Sequence, residues 1–208
     1  MELDEVWAVI DTERSRLADL FDDLSEQEWR TASLCDGWRV RDVAAHLTLS
    51  HMGTLPALVA LVRARGSFDA MVHDTAVRQA ALPTDRYGVL LRAMVGSRRT
   101  APGVTHLEPL LDVLVHGQDM AIPLGRDLPM PPAAAAAAAT RVWDMGWPFR
   151  ARRRLAGLEI VATDHPWSAG AGARVEGPIA SVLLLLTGRR AALPGLSGAG
   201  LADLRVRM

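Results

Sequence analysis

The segment Leu110-Leu111-Asp112-Val113-Leu114-Val115-His116 sets a carboxylate and an imidazole four residues apart in an otherwise aliphatic stretch. On a helix that spacing puts both groups on one face. The aliphatic neighbours predict a helix buried on most sides, where an Asp and a His are costly unless each has a partner. Two arrangements meet that cost. One is an Asp–His pair hydrogen-bonded within the core; the other is a divalent metal ion, for which carboxylate oxygen and imidazole nitrogen are both good ligands. These two residues alone leave the alternatives open. His46, in Arg41-Asp42-Val43-Ala44-Ala45-His46-Leu47, adds a third donor on a second apolar helix. Facing helices of a bundle commonly hold metals in their core, and His46 moves the reading to one ion held by His46, Asp112 and His116. Three protein ligands with an open position form a catalytic rather than a structural arrangement.

The remaining candidates carry less. Asp119, three residues after His116, reads as a carboxylate that orients a ligating histidine or as a partner within the last helical turn. His51 falls well around the circumference from His46 and reads as an outer residue, while His73, His106 and His165 read as surface side chains. Cys35 is the only cysteine, which excludes an internal disulfide and a four-thiolate zinc site; a ligand or redox thiol is one reading of it, and a half-buried, inert thiol is the first.

These residues need long helices to position them. Apolar residues at Leu3, Val6, Ile10, Leu17, Leu20 and Leu24, with Trp7 and Phe21, predict an amphipathic first helix. Ser25-Glu26-Gln27-Glu28 fits a capping box opening a short helix toward Trp29, and Leu34 to Trp38 reads as a turn. A second long helix is expected from about Val40 to Arg65, with Val43, Leu47, Leu58 and Leu61 in the core and Pro56 kinking or splitting it. Further helices are expected over about Phe68–Leu82 and Thr84–Arg99, and from Thr105 or Pro109 to before Pro123. Short connections between long helices predict a four-helix bundle.

After Pro129-Met130-Pro131-Pro132, the run Ala133 to Ala139 predicts an ordinary packed helix through Trp143. Leu158–Thr163 and Ala173–Glu176 read as strands. A short apolar helix follows over Ile179–Thr187, closed by Gly188, and Pro194, Gly195, Gly198 and Gly200 make loops. The expected organisation is a metal-binding bundle over residues 1–128, a helical connection over 129–154 and a small α/β domain over 155–208. The fold class is thus mainly α.

With 208 residues and 50% hydrophobic composition the chain can bury a substantial core. A net charge of −1 gives no global pull toward nucleic acid, and the Arg152-Arg153-Arg154 run is local. The acidic start lacks the profile of a secretory signal, and the apolar runs are too short to span a bilayer. A soluble, cytoplasmic protein is expected, with no nucleic-acid or membrane partner.

Cys35-Asp36-Gly37-Trp38-Arg39-Val40-Arg41-Asp42-Val43-Ala44-Ala45-His46-Leu47 resembles the signature of the mycothiol-dependent maleylpyruvate isomerase family, an actinobacterial branch of the DinB-like metalloprotein superfamily. Asp112 to Met120, running on to Pro123-Leu124-Gly125-Arg126, resembles its second signature. Ala162-Thr163-Asp164, Trp167-Ser168, Gly177-Pro178, Gly188-Arg189 and Leu196-Ser197-Gly198 resemble its C-terminal domain, which is similar to sterol-carrier-like folds. The resemblance covers nearly the whole chain.

The resemblance implies a DinB-like bundle whose metal ligands fall on His46, Asp112 and His116, with zinc as the ion and mycothiol as the thiol cosubstrate. The characterised isomerase has glutamate where this chain has Asp112. A thiol in the open position would be deprotonated and could add to an activated double bond or displace a leaving group. That makes an isomerase or S-transferase acting on a small electrophile the first expectation, as a monomer or homodimer. Arg189 or Arg190 would bind a substrate carboxylate bidentately, although an Arg pair after a helix end also suits a plain surface. A hydrolase using metal-activated water and a non-catalytic, metal-binding stress-response protein are the alternatives, because a fold supports a family rather than a reaction.

Overall fold

The computed structural model describes residues 1–49, 59, 63, 67–100 and 104–208, with the side chains of residues 68 and 69 left aside. Two compact units emerge, Glu2–Leu128 and Pro129–Met208, the latter clustering with Met1.

The first unit is helical. Helix α1 spans Leu3–Asp23 and buries Val6, Trp7, Ile10, Leu17 and Phe21, the stripe its spacing predicts. Arg14 lies on the same face, 1% exposed; its guanidinium donates to the Met94 carbonyl at 2.7 Å and the Ser97 carbonyl at 3.3 Å. Helix α2, Glu26–Trp29, opens with the expected capping box: the Glu28 backbone N–H donates to Ser25 Oγ and the Ser25 N–H donates to Glu28 Oε2 at 2.9 Å. Trp29 then stacks between Phe21 and Tyr87, with ring centroids 5.6 and 5.5 Å away.

Helix α3 covers Val40–Leu47, ending well before Pro56 where a run to about Arg65 is expected. At its last turn the Thr48 hydroxyl donates to the Ala45 carbonyl at 2.7 Å, a local bond that competes with helix continuation. His51, Pro56, Leu58 and Leu61 lie outside the described residues. Helices α4, Phe68–Gln79, and α5, Asp85–Arg92, are both shorter than their periodicity suggests. After α5 the chain coils in turns up to Gly96, whose φ of +79° no helix continues. Helix α6, Leu107–Ala121, buries Leu110, Leu111, Val113, Leu114 and Val115 as well as Asp119. α6 packs against both α1 and α3, and that packing brings the candidate residues together.

The second unit wraps a three-stranded sheet with helices. Helix α7, Pro132–Asp144, buries Ala134, Ala135, Ala138 and Ala139. Those small side chains let it pack on the apolar helix α9, Ile179–Leu186, whose Val182, Leu183, Leu185 and Leu186 are fully buried. Short helix α8 is Ala151–Arg154. Strand β1, Leu158–Ala162, is central, with β2, Ser168–Gly170, antiparallel on one side and β3, Ala173–Gly177, parallel on the other. β2 was not expected from the sequence; three residues bounded by Pro166 and two glycines give almost no alternation to read. Asp164 Oδ1 accepts the Ile179 N–H at 2.7 Å and so caps α9. Beyond a 3₁₀ turn over Arg190–Gly195, Ser197 bridges to Glu176 on the outer edge of β3. Helix α10, Leu201–Arg207, not assigned from the sequence, then follows.

Candidate metal centre

The loop before α3 is built to present side chains to α6. A turn closed by the Trp38 N–H donating to the Cys35 carbonyl at 3.0 Å includes Gly37, whose φ of +76° suits glycine. Ser33 holds the far side, donating both N–H and hydroxyl to the Trp38 carbonyl at 2.9 Å while its Oγ accepts the Cys35 N–H at 3.1 Å. Leu34 N–H then donates to the Asp119 carbonyl on α6 at 3.0 Å, tethering loop to helix. At the start of α3, Arg39 forms a fork with buried Asp42, Nε to Oδ2 at 2.9 Å and Nη2 to Oδ1 at 3.0 Å. Burial alone would raise the Asp42 pKa, but the Arg39 bonds outweigh it and hold the carboxyl below its ordinary range. The Arg-x-x-Asp pair of this motif is therefore an anchor for α3, not part of the chemistry.

His46, Asp112 and His116 each offer one donor atom to a common point, all within 4.8 Å of one another. The two imidazoles meet edge to face with centroids 5.0 Å apart. Trp38, 8% exposed, lies against both, 5.4 Å from His46 and 6.5 Å from His116. His116 Nδ1 lies 2.9 Å from Asp119 Oδ2, and that oxygen also accepts the Cys35 thiol at 3.1 Å. With Nδ1 turned to a carboxylate, the other ring nitrogen is the one free to ligate, as in carboxylate–histidine–metal arrangements.

The two histidines titrate in opposite directions. Burial, and then the neighbouring His116, push His46 down to about 3, so its ring is neutral and its lone pair available at neutral pH. Burial also opposes charge on His116, but the bonds to Asp119 and Cys35 outweigh it and raise the group to about 10. Asp119, 0% exposed, is thus an orienting and basicity-raising partner of His116.

Two features of this centre escape a reading of the sequence. Cys35 is not an isolated thiol: with His116 and Asp119 it forms a second cluster of potential ligands sharing the same imidazole. Trp38 forms part of the wall around both histidines. Neither contact has a sequence signal beyond the motif itself, because the spacing of residues along the chain does not show how the loop meets the helix; Cys35 lies 81 positions from His116 and 84 from Asp119. Among the other histidines, His73 lies exposed on α4, 3.5 Å from Asp74 and 6.2 Å from the Trp38 ring. Arg189 and Arg190 belong to the second unit: Arg189 is half-buried and donates to the Thr187 carbonyl at 2.8 Å, and Arg190 is exposed at the start of the 3₁₀ turn.

Two nitrogens and one carboxylate oxygen at this separation, one imidazole already oriented by a buried carboxylate, suit a divalent transition metal.

Residues 10–103 match the family model described as the mycothiol maleylpyruvate isomerase N-terminal domain. No curated protein matches the chain. Among solved structures, the mycothiol-dependent maleylpyruvate isomerase aligns with a TM-score of 0.68 at 16% identity, covering 96% of this chain and 93% of that one. A histidine-to-alanine variant of that enzyme aligns with a TM-score of 0.67 at the same identity and coverage. At such identity the structural likeness is one of fold, and it extends over both units. Residues 10–103 are thus similar to the N-terminal domain of the mycothiol maleylpyruvate isomerase family, and the fold is similar to that of the mycothiol-dependent maleylpyruvate isomerase.

Proposed function

We propose that this protein is a metal- and thiol-dependent isomerase or S-transferase acting on a small electrophile, with zinc held by His46, Asp112 and His116 and mycothiol as the thiol. The observation that carries this reading is the convergence of those three donor atoms within 4.8 Å beside a histidine already oriented by Asp119. A divalent ion bound there would supply Lewis acidity, lowering the pKa of a thiol that enters its open position.

The chain's own residues account for the rest. His46 stays neutral and unprotonated, so it offers a ligand nitrogen at physiological pH. Asp119 fixes the His116 ring by its 2.9 Å bond to Nδ1. Trp38 packs beside both imidazoles, its ring centroid 5.4 Å from that of His46 and 6.5 Å from that of His116. Arg189 and Arg190 are assigned to a substrate carboxylate; substituting both by alanine is expected to raise KM several-fold with kcat little changed. Unchanged affinity for an anionic substrate in that double variant would remove them from the binding machinery.

The test of the whole reading is thiol dependence. Zinc-loaded protein is assayed against a panel of activated alkenes and alkyl halides, with and without mycothiol. Turnover only with thiol is the expected result. Turnover without thiol would favour hydrolysis, and zinc whose coordination spectrum ignores thiol would favour a non-catalytic metal protein. Asp119→Asn, which keeps the shape of the side chain and removes its charge, is expected to weaken zinc affinity by about 10- to 100-fold. Competition with a chromogenic chelator measures it; an unchanged constant would mean that Asp119 serves packing alone.

A further inference from the structure

The second unit holds a cavity of about 630 Å³ that the proposed metal chemistry does not use. Its lining includes the consecutive apolar residues Trp147, Pro148 and Phe149 and the guanidinium groups of Arg150, Arg153 and Arg154. That volume falls within the usual range for a small-molecule site, about 300 to 1,000 Å³. The combination of flat apolar surface with several guanidinium forks is the chemistry that recognises a planar anion.

Four observations distinguish this from a solvated arginine run. First, the neighbouring arginine has a carboxylate partner, and Arg150 and Arg153 do not. Arg152 pairs with Asp144 and stacks over the Trp143 ring at 6.0 Å, whereas neither Arg150 nor Arg153 pairs with a carboxylate among the described residues. Second, Arg150 has φ +49° and ψ +37°, a left-handed conformation that costs a non-glycine residue about 1 kcal/mol or more and that collects at ligand sites. From there its carbonyl starts α8, accepting the N–H groups of Arg153 and Arg154 at 3.0 Å, so the strained residue and the other two arginines form one local construction.

Third, Arg154 is fixed in place. Its Nη2 donates to the Leu185 carbonyl at 2.9 Å at the end of α9. Gly188, with φ +88°, leaves room for it: a Cβ there would lie 3.0 Å from Arg154 Nη1. Fourth, partial desolvation, and then nearby Arg189, lower the Arg154 pKa, so a neighbouring anion would favour its charged form.

We infer that this cavity is a binding site for a small aromatic or conjugated anion, its carboxylate or phosphate group taken by Arg150 and Arg153 and its flat part covered by Trp147 and Phe149. Arg154, held to the end of α9 through the Leu185 carbonyl, is the positioning residue of the lining. The inference does not depend on the metal reading, in which Trp147, Phe149, Arg150, Arg153 and Arg154 have no part.

The probe is phenyl phosphate, with phenol and inorganic phosphate as its uncharged and non-aromatic halves. Binding to the full chain is followed by isothermal calorimetry and by quenching of tryptophan fluorescence. The expected result is saturable one-to-one binding of phenyl phosphate, tighter than either half. Arg150→Ala, Arg153→Ala together weaken it by at least about tenfold, while Arg152→Ala leaves it unchanged. The metal-free His116→Ala protein binds the probe as the parent does, which separates this site from the metal centre. A double variant that melts early is replaced by Arg150→Lys, Arg153→Lys, which keeps the charge and loses the fork; it too must bind more weakly. Undiminished binding in the folded double variant, or no saturable binding of any probe, overturns the inference. So does co-sedimentation with phosphatidylglycerol vesicles that needs the two arginines while phenyl phosphate fails to bind, which would make the patch a membrane contact.

Discussion

His116→Ala is expected to take the purified protein from about one equivalent of zinc per chain to almost none, and to abolish thiol-dependent turnover with it. The argument is geometric. His116 is the one residue common to both clusters of potential ligands, so its loss leaves His46 and Asp112 on different helices with no third donor grouped with them among the described residues. The remaining pair would bind far more weakly, since a site with two protein ligands surrenders most of its chelation. The fold should survive, because Asp119 keeps the Cys35 thiol as a donor and the Leu34 N–H on its carbonyl. Elemental analysis of parent and variant, with circular dichroism as the folding check, decides the matter. A parent that holds no metal even after zinc is added would sink the metal reading and leave His116 and Asp119 as a buried hydrogen-bonded pair.

The second large effect concerns stability, and it follows from how the sheet is threaded. β2 and β3 flank β1, so the chain must cross the start of β1 within two residues, Ala171 and Gly172. The crossing runs directly over the Gly157–Leu158 backbone. A Cβ on Gly172 would lie 2.0 Å from the Gly157 carbonyl oxygen, and one on Gly170 would lie 2.3 Å from that of Leu158. Gly172 also has φ +127°, a conformation closed to other residues in practice. Gly172→Ala therefore combines backbone strain with a clash against backbone that cannot rotate away. A loss of at least about 3 kcal/mol is expected, read as a fall in the denaturant midpoint. An alanine variant within about 0.5 kcal/mol of the parent would show that β1 and β3 can part at this end without cost.

Much of the helical architecture is legible in the residues because its signals are local. The capping box at Ser25 and Glu28, the buried stripe of α1 and the four-residue spacing of Asp112 and His116 all act within one or two turns. The same is true of the Ala-rich helix α7, whose propensity and packing point the same way. What escaped is either too short or too distant. β2 has three residues, and the glycines at 198 and 200 mask the seven-residue helix α10 that follows them. Gly198 is there because the chain passes 2.4 Å from the Arg174 carbonyl, measured from where a Cβ would sit, and that is a tertiary requirement. The stop of α3 at Leu47 rests on a hydroxyl bond that a hydrophobic period does not reveal. In the metal centre the helical donors are visible in the sequence, but the Cys35 and Trp38 side chains reach it from a loop, and only the tether from Leu34 to Asp119 brings them there.

The bridge between Ser197 and Glu176 has a consequence for how this protein behaves in a crowd. A sheet whose outermost strand shows a free row of N–H and C=O groups can template another chain. Here the outer row of β3 is already taken: Glu176 exchanges bonds of 2.9 and 2.8 Å with Ser197, and the Arg174 carbonyl accepts the Gly200 N–H at 2.8 Å. On the opposite border, β2 is only three residues long and turns away at both ends. A unit carrying four consecutive leucines in α9 is thus built around a sheet that cannot readily grow by accretion, so high concentration alone should not turn its strands into a seed for polymer.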